Sequence, residues 1–367
     1  MQLSYIKSNR FLWPTVLLAI FMVVFVVGLS SGDAKYTSLE RMLIQWDGQH
    51  YLSIARDGYE TFPCASGPHE ICGNVGWFPL FPLAGRVVSW LGLDARWALL
   101  IAGWLALWVG LMLLFDMVHR QFDRTAAIGT LVALLAFPSA FYLLTAFPYA
   151  MYLMLAVLTL WLLQRERYGW LWLPSGLLAI TYPSGIVIGL PLLWHLIRHR
   201  KELSATQKAG LAGGMAAIGV ALAAYGAYYW WQFGDFWLYV KFQGQPMYRH
   251  EPAFPLMTIW DEITASDMSL SVVSMLAAVT VTLVAFYRTK VPVSWQIFMF
   301  AVLLFTPAAG TTDCYYRHII PAFPLAVMVG LGLKDRWRRW LVPAYVICAQ
   351  IMAWLGYLPL YKDGRLI

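Results

Sequence analysis

Charge is what this chain has least of. Asp, Glu, Lys and Arg together supply 12% of its 367 residues, against about 25% in soluble domains, and no polar stretch is long enough to hold a soluble domain. Cysteine is scarce too, with four in all, which removes a disulfide scaffold and a cysteine-rich zinc site. No P-loop or dinucleotide-type glycine pattern is present, so the usual signature of ATP or nucleotide-sugar binding is missing. Ionisable residues are also rare in the middle of the apolar runs. Ion-coupled transporters place acids, histidines or bases there.

What is there is hydrophobic: 60% of the residues, with 19 Trp, 20 Tyr and 20 Phe. A crossing needs about 20 apolar residues, so the reading is an all-α polytopic membrane protein of about eleven transmembrane helices. The net charge of +7 comes from basic residues in the turns between apolar runs, as the positive-inside rule requires, and does not indicate nucleic acid as a partner. Lys7 and Arg10 precede the first span, Phe11 to Leu29, which no small-residue cleavage site follows. It reads as a retained helix with a cytoplasmic N-terminus.

Residues 1–367 then divide within one integral membrane domain: 1–29 the first span, 30–94 an extracytoplasmic loop with interfacial helices, 95–231 spans, 232–268 a second outer loop, and 269–367 C-terminal spans. The segment Trp77 to Leu93 is ambiguous, with prolines near its start and Arg86 in its middle. If it lies along the interface rather than crossing, the later basic clusters all fall on the cytoplasmic side. Those clusters include His119 to Arg124, Arg165 with Arg167, Arg198 to Lys201, and Lys334 to Arg339. The spans interrupted near Pro148 and Pro183 are broken helices of the kind tolerated only beside protein or a water-filled cavity.

The densest chemistry lies in the first outer loop, Trp46 to Tyr59, W-D-G-Q-H-Y-L-S-I-A-R-D-G-Y. Read as a helix from about Asp47 to Arg56, it sets Asp47, His50 and Tyr51 at i, i+3 and i+4 on one face, with Gly58 as the stop. Two readings of Asp47 stay open. It is an N-cap for the amides of Gln49 or His50, or a carboxylate beside an imidazole that accepts a proton from a hydroxyl. Cys64 and Cys72 form the close cysteine pair of the same loop, and an oxidising compartment permits a disulfide between them. The other candidates, Asp57, Asp235, Lys241, Arg249, His250, Asp313, Arg317 and His318, gather towards the same membrane face. That favours interfacial chemistry on a membrane-embedded substrate. The alternative class is a transporter or flippase of lipid-linked or small solutes. A serine–histidine hydrolase built on Ser184 and His318 has no nucleophile motif around the serine, and no acid cluster has the spacing of a metal site.

Trp46 to Tyr59, followed by W-F-P-L-F-P at Trp77 to Pro82, resembles the signature of the PIG-V type of GPI mannosyltransferase and its prokaryotic relatives, glycosyltransferases of the GT-C fold. F-P-S-A-F-Y from Phe137 to Tyr142, F-G-D from Phe233 to Asp235, and Y-R-H-I-I-P-A-F-P from Tyr316 to Pro324 are similar to further family stretches. Two places depart from the pattern. The family's Y-S-E-S is replaced around Pro148 to Met151, and its T-R-P reads Thr181-Tyr182-Pro183.

The resemblance implies transfer of a sugar, mannose, from a polyprenyl-phosphate carrier to a lipid or glycan acceptor on the outer face, with inversion. Nothing in the residues themselves calls for a cofactor or a metal. It makes Asp47 the general base, with His50 orienting it or binding sugar. The lipid phosphate needs cations, for which Arg317 comes first and Arg249, His250 and Lys241 follow. Trp46, Gln49, Tyr51, Trp77, Phe78 and Tyr316 become walls against sugar or prenyl chain. Asp235 reads as a helix-end cap.

Overall fold

The computed structural model describes residues 2–30, 38–65, 70–246, 248, 251–265, 269–287 and 290–364. Helices dominate. The first, α1 (Gln2–Ser30), is followed by two short helices, α2 (Leu39–Leu43) and α3 (Asp47–Asp57). A small antiparallel hairpin of β1 (Thr61–Pro63) and β2 (Ile71–Gly73) follows, with Phe62 opposite Cys72. Cys64, just past β1, is disulfide-bonded to Cys72 in β2. Gln245, far along the chain, anchors the hairpin: its side-chain carbonyl accepts from the amides of Glu70 and Ile71 at 2.9 and 2.8 Å.

Next comes α4 (Leu80–Ser89), ten residues long. At about 1.5 Å per residue it reaches about half of the roughly 30 Å hydrocarbon thickness. Arg86, odd within an apolar run, donates from Nε to Ala55 O and from Nη2 to Ile54 O at 2.8 and 3.0 Å. It thereby satisfies the Ala55 carbonyl and shares that of Ile54 with the Gly58 amide.

The bundle consists of α5 (Ala95–Gln121), α6 (Arg124–Leu135), α7 (Tyr149–Gln164), α8 (Trp172–Ala179), α9 (Gly189–Arg198) and α10 (Ala205–Phe233). It continues with α11 (Leu238–Gln243), α12 (Pro255–Thr264), α13 (Leu270–Phe286), α14 (Val293–Ala308), α15 (Tyr315–His318), α16 (Pro324–Gly332), α17 (Leu341–Ile351) and α18 (Leu358–Lys362). Starts follow local chemistry. Asp94 and Asp123 accept from the amides of Arg96 and Ala126, and Ser204 with Gln207 forms a capping box on α10. Gly234 closes that helix in the left-handed region at φ 73°.

Four helical stretches among the described residues are long and apolar enough to cross a membrane: Phe11–Ser30, Ala95–Gln121, Ala205–Phe233 and Arg338–Lys362. The remaining apolar helices are shorter, so the expected eleven crossings are not delineated as eleven long helices. The reason is local. Pro148 and Pro183 break apolar runs into pieces joined by 3-10 turns at Ala140–Leu143 and Pro183–Ile188.

At the centre, α5 packs on α4, α6 and α7, while α16 lies against α6. That last contact is backbone-close: a Cβ on Gly330 would sit 2.5 Å from Thr130 N, the small-residue approach typical of helices in lipid. Asp116 is the buried acid of α5. It accepts from Arg120, Arg165 and Trp161 at 2.9–3.0 Å, so the buried charge is matched in place. It lies at the opposite end of α5 from Asp94.

Candidate active site

The site begins with a backbone conformation that a tryptophan rarely adopts. Trp46, immediately before α3, has φ 45° and ψ −119°, a state that costs a non-glycine residue about 1–3 kcal/mol unless its surroundings impose it. Several contacts impose it here. The Trp46 ring meets Tyr361 edge-on at 5.2 Å, and the Tyr361 hydroxyl donates to Met42 O at 2.7 Å. Ala146 N donates to Leu43 O at 2.9 Å. Gly48 then lets the first turn of α3 lie on the 145–147 turn, since a Cβ there would come within 3.2 Å of Ala146 O.

This geometry presents Asp47 as the first helical residue. No side chain caps the N-terminus of α3, so of the two readings of Asp47 the cap is not the one formed. Its Oδ2 instead meets Arg317 Nη2 at 3.0 Å, the carboxylate side chain keeping 32% of its surface and the arginine only 7%. Arg317 arrives on α15, entered through Cys314 in the left-handed region at φ 55°. Ser139 holds the turn by donating its hydroxyl to Tyr316 O. The guanidinium carbon lies 5.1 Å over Phe147 and 5.9 Å over Tyr142, favourable faces for a cation.

Arg317 carries more donors than the protein uses. Nε and Nη1 are buried with no partner among the described residues. An unmade hydrogen bond on a buried charged group is costly, and this one lies beside a half-open carboxylate. The arrangement suits an anion held by the remaining fork while Asp47 handles a proton next to it.

The face read from the sequence is present. His50 stacks on Trp77 with centroids 3.6 Å apart and planes 14° apart. Burial pushes its imidazole below the ordinary value, against the pull of Asp47, so it is neutral at pH 7. Tyr51 is buried, edge-on to Phe81 at 5.6 Å, and burial raises its phenol well above the ordinary range. Trp77 is held by its carbonyl, which accepts from Tyr59 and Tyr225 at 2.6 and 3.1 Å.

Other expected residues lie elsewhere. Gln49 projects from the opposite face of α3 into a separate cleft with Glu40, Arg41, Ser53, Arg56 and Arg96, because it falls out of phase with 47, 50 and 51. Phe78 packs in a second cluster against Tyr225 and Tyr239 at 5.5 and 4.9 Å. Tyr316 is buried between Tyr142 and Tyr357. Lys241 is engaged by Asp235 at 2.6 Å on an exposed face, and Asp235 also accepts from Trp237 N at 3.0 Å. Arg249 and His250 lie outside the described residues. No cluster of three metal-ligating side chains occurs among the described residues.

Composition hid one wall. Tyr142, Phe147 and Tyr149 come from the turn before α7, and Tyr182 from the break after α8. Their signal in the sequence was the pair of prolines, Pro148 and Pro183.

No protein-family model matches this chain, and no curated protein does. Solved structures do. The crystal structure of ArnT from Cupriavidus metallidurans bound to undecaprenyl phosphate is similar over 96% of this chain and 74% of that one, with a TM-score of 0.55 and 16% identity. The apo structure of the same protein gives 0.53 and 14% over the same shares. At this identity the likeness shows a common fold.

Proposed function

We propose that the chain is an integral membrane glycosyltransferase of the GT-C kind, drawing a sugar from a polyprenyl-phosphate donor. The observation that carries this reading is the Asp47–Arg317 pair, with two buried guanidinium donors left over. The fold it sits in is shared with a protein crystallised on undecaprenyl phosphate.

The chemistry follows from the charges. The donor phosphate takes the free donors of Arg317. An acceptor hydroxyl lies against the Asp47 carboxylate and gives up its proton as its oxygen attacks the anomeric carbon. The bond from that carbon to the phosphate oxygen breaks on the opposite face, which inverts the centre, and its electron pair stays on the phosphate. Arg317 stabilises that growing charge in surroundings that exclude water. Trp46, Tyr51 and Trp77 form the apolar side of the sugar site. Mannose is the sugar that the motifs favour, the acceptor is a lipid-linked or glycan hydroxyl, and the site faces the extracytoplasmic side with the N-terminus in the cytoplasm.

The test is transfer of labelled sugar from polyprenyl-phosphate mannose to lipid or glycan acceptors by the purified chain in lipid. Turnover that depends on the polyprenyl carrier supports the reading. Net movement of the lipid across the bilayer without transfer contradicts it, and would establish a flippase instead.

A further inference from the structure

Two sequence stretches have so far been given no chemistry: the turn T-A-F-P-Y at Thr145 to Tyr149 and the break T-Y-P at Thr181 to Pro183. Both interrupt an apolar run with a proline, and both deliver a tyrosine to one place. The ring of Tyr149, at the start of α7, lies 5.4 Å from that of Tyr182. Tyr182 has extended backbone, φ −162° and ψ 149°, just before the 3-10 turn Pro183–Ile188. Its ring is also 5.6 Å from His318, the residue after Arg317. Tyr149 in turn stacks on Phe147 at 5.9 Å, the ring over which the Arg317 guanidinium lies at 5.1 Å. The pair therefore stands on the arginine side of the site.

Their hydroxyls are underused. That of Tyr149 donates towards that of Tyr182, and neither hydroxyl bonds another protein group among the described residues. Tyr152, one turn along α7, is different: its hydroxyl donates to Ser184 O at 3.0 Å and is spent on structure. A phenol is a neutral O–H donor at neutral pH. Next to a guanidinium with two spare N–H groups, such donors complete a shell for an anion with several oxygens.

We infer that Tyr149 and Tyr182 bind the phosphoryl oxygens of a lipid-linked phosphate together with Arg317, Tyr182 making the direct contact and Tyr149 supporting it. This rests on the proposed donor class but not on sugar transfer. A helix broken at membrane depth is the natural place for such a contact, because the break frees side chains to point into a polar cavity.

The experiment titrates the purified full chain, in nanodiscs, with undecaprenyl phosphate, undecaprenol and inorganic phosphate. Tyr182→Phe should weaken undecaprenyl phosphate binding by about tenfold or more, the scale of one hydrogen bond to a charged group, and leave undecaprenol binding unchanged. Tyr149→Phe should show a smaller loss of the same kind, and Tyr152→Phe none. Wild-type affinity for undecaprenyl phosphate in Tyr182→Phe overturns the inference, as does equal loss of undecaprenol. Inorganic phosphate competing at concentrations equal to the lipid's overturns the lipid-linked source. Phosphate-dependent binding lost in Tyr182→Phe, in a protein that transfers no sugar, upholds the inference while the catalytic reading fails. Sugar transfer with an unaltered donor KM in Tyr182→Phe does the reverse.

Discussion

Arg317 and Asp47, from opposite ends of the chain, meet at 3.0 Å, and the arginine keeps two buried donors with no partner among the described residues. A purely structural ion pair has no need of that surplus. It makes sense as half of a site whose other half arrives with the substrate.

Arg317→Met should therefore lower kcat/KM by about 10²-fold or more, the scale seen when a preorganised donor to developing charge is lost. Arg317→Lys should recover part of it, since lysine supplies the charge without the planar fork. Steady-state kinetics with a polyprenyl-phosphate sugar check this. Activity of Arg317→Met within a few-fold of wild type would return the residue to a structural role.

Stability should fall on mild acidification. Burial lowers His50 below its ordinary value, and burial with the nearby Arg317 pushes His318 down to about 3. The unfolded chain takes up both protons near pH 6.5 and the folded chain does not. Below about 6.5 the unfolded state thus binds more protons, and stability drops as pH falls towards 3. Thermal midpoints in detergent should decrease steadily from pH 7.5 to pH 4.5, and His318→Gln should flatten the slope. A midpoint that rises on acidification contradicts the assignment.

The Cys64–Cys72 bridge closes a short loop, which in the chain-entropy model is worth about 2–3 kcal/mol. Its expected effect is confined to the outer hairpin. Cys64→Ser should lower the unfolding midpoint while leaving donor KM nearly unchanged, since the hairpin is joined to the second outer loop rather than to Asp47. Non-reducing mass spectrometry finding two free thiols in native protein would count against the bridge.

Sidedness follows from the basic clusters. In a chain lacking Cys314 and Cys348, a cysteine at Lys201 or Arg338 should be shielded from impermeant thiol reagents in intact cells, and one at Glu60 should label. Labelling at Arg338 together with Glu60 would sink the orientation.

Much of this architecture was legible without coordinates. The face of Asp47, His50 and Tyr51 followed from helical phase alone, and α3 begins and ends at Asp47 and Asp57, close to where Gly58 and the motif put it. Arg317 was singled out as the first cation for a lipid phosphate that the family resemblance implied. Gln49 was misplaced because a motif groups neighbours in sequence, whereas a helix turns each by about 100°. The tyrosine wall was missed for a different reason. Tyr149 and Tyr182 sit in apolar runs rich in aromatic residues, and only tertiary folding of two proline-broken helices brings them beside Arg317. Of the eleven expected crossings, four show as long apolar helices among the described residues; at those same prolines length ceases to measure crossings.

The central claim is that Asp47 takes the acceptor's proton, and Asp47→Asn tests it most directly. Asparagine keeps the shape and can still accept a hydrogen bond from Arg317 Nη2, so the fold and Trp46's unusual backbone should survive; what is lost is the charge and the basicity. The measurement is turnover of purified, correctly folded Asp47→Asn protein with polyprenyl-phosphate mannose and a lipid acceptor. Loss of about 10²–10⁴-fold in kcat, with expression and thermal midpoint near wild type, is the predicted result. Turnover within a few-fold of wild type would contradict it, leaving Asp47 as no more than the partner that keeps Arg317 in place.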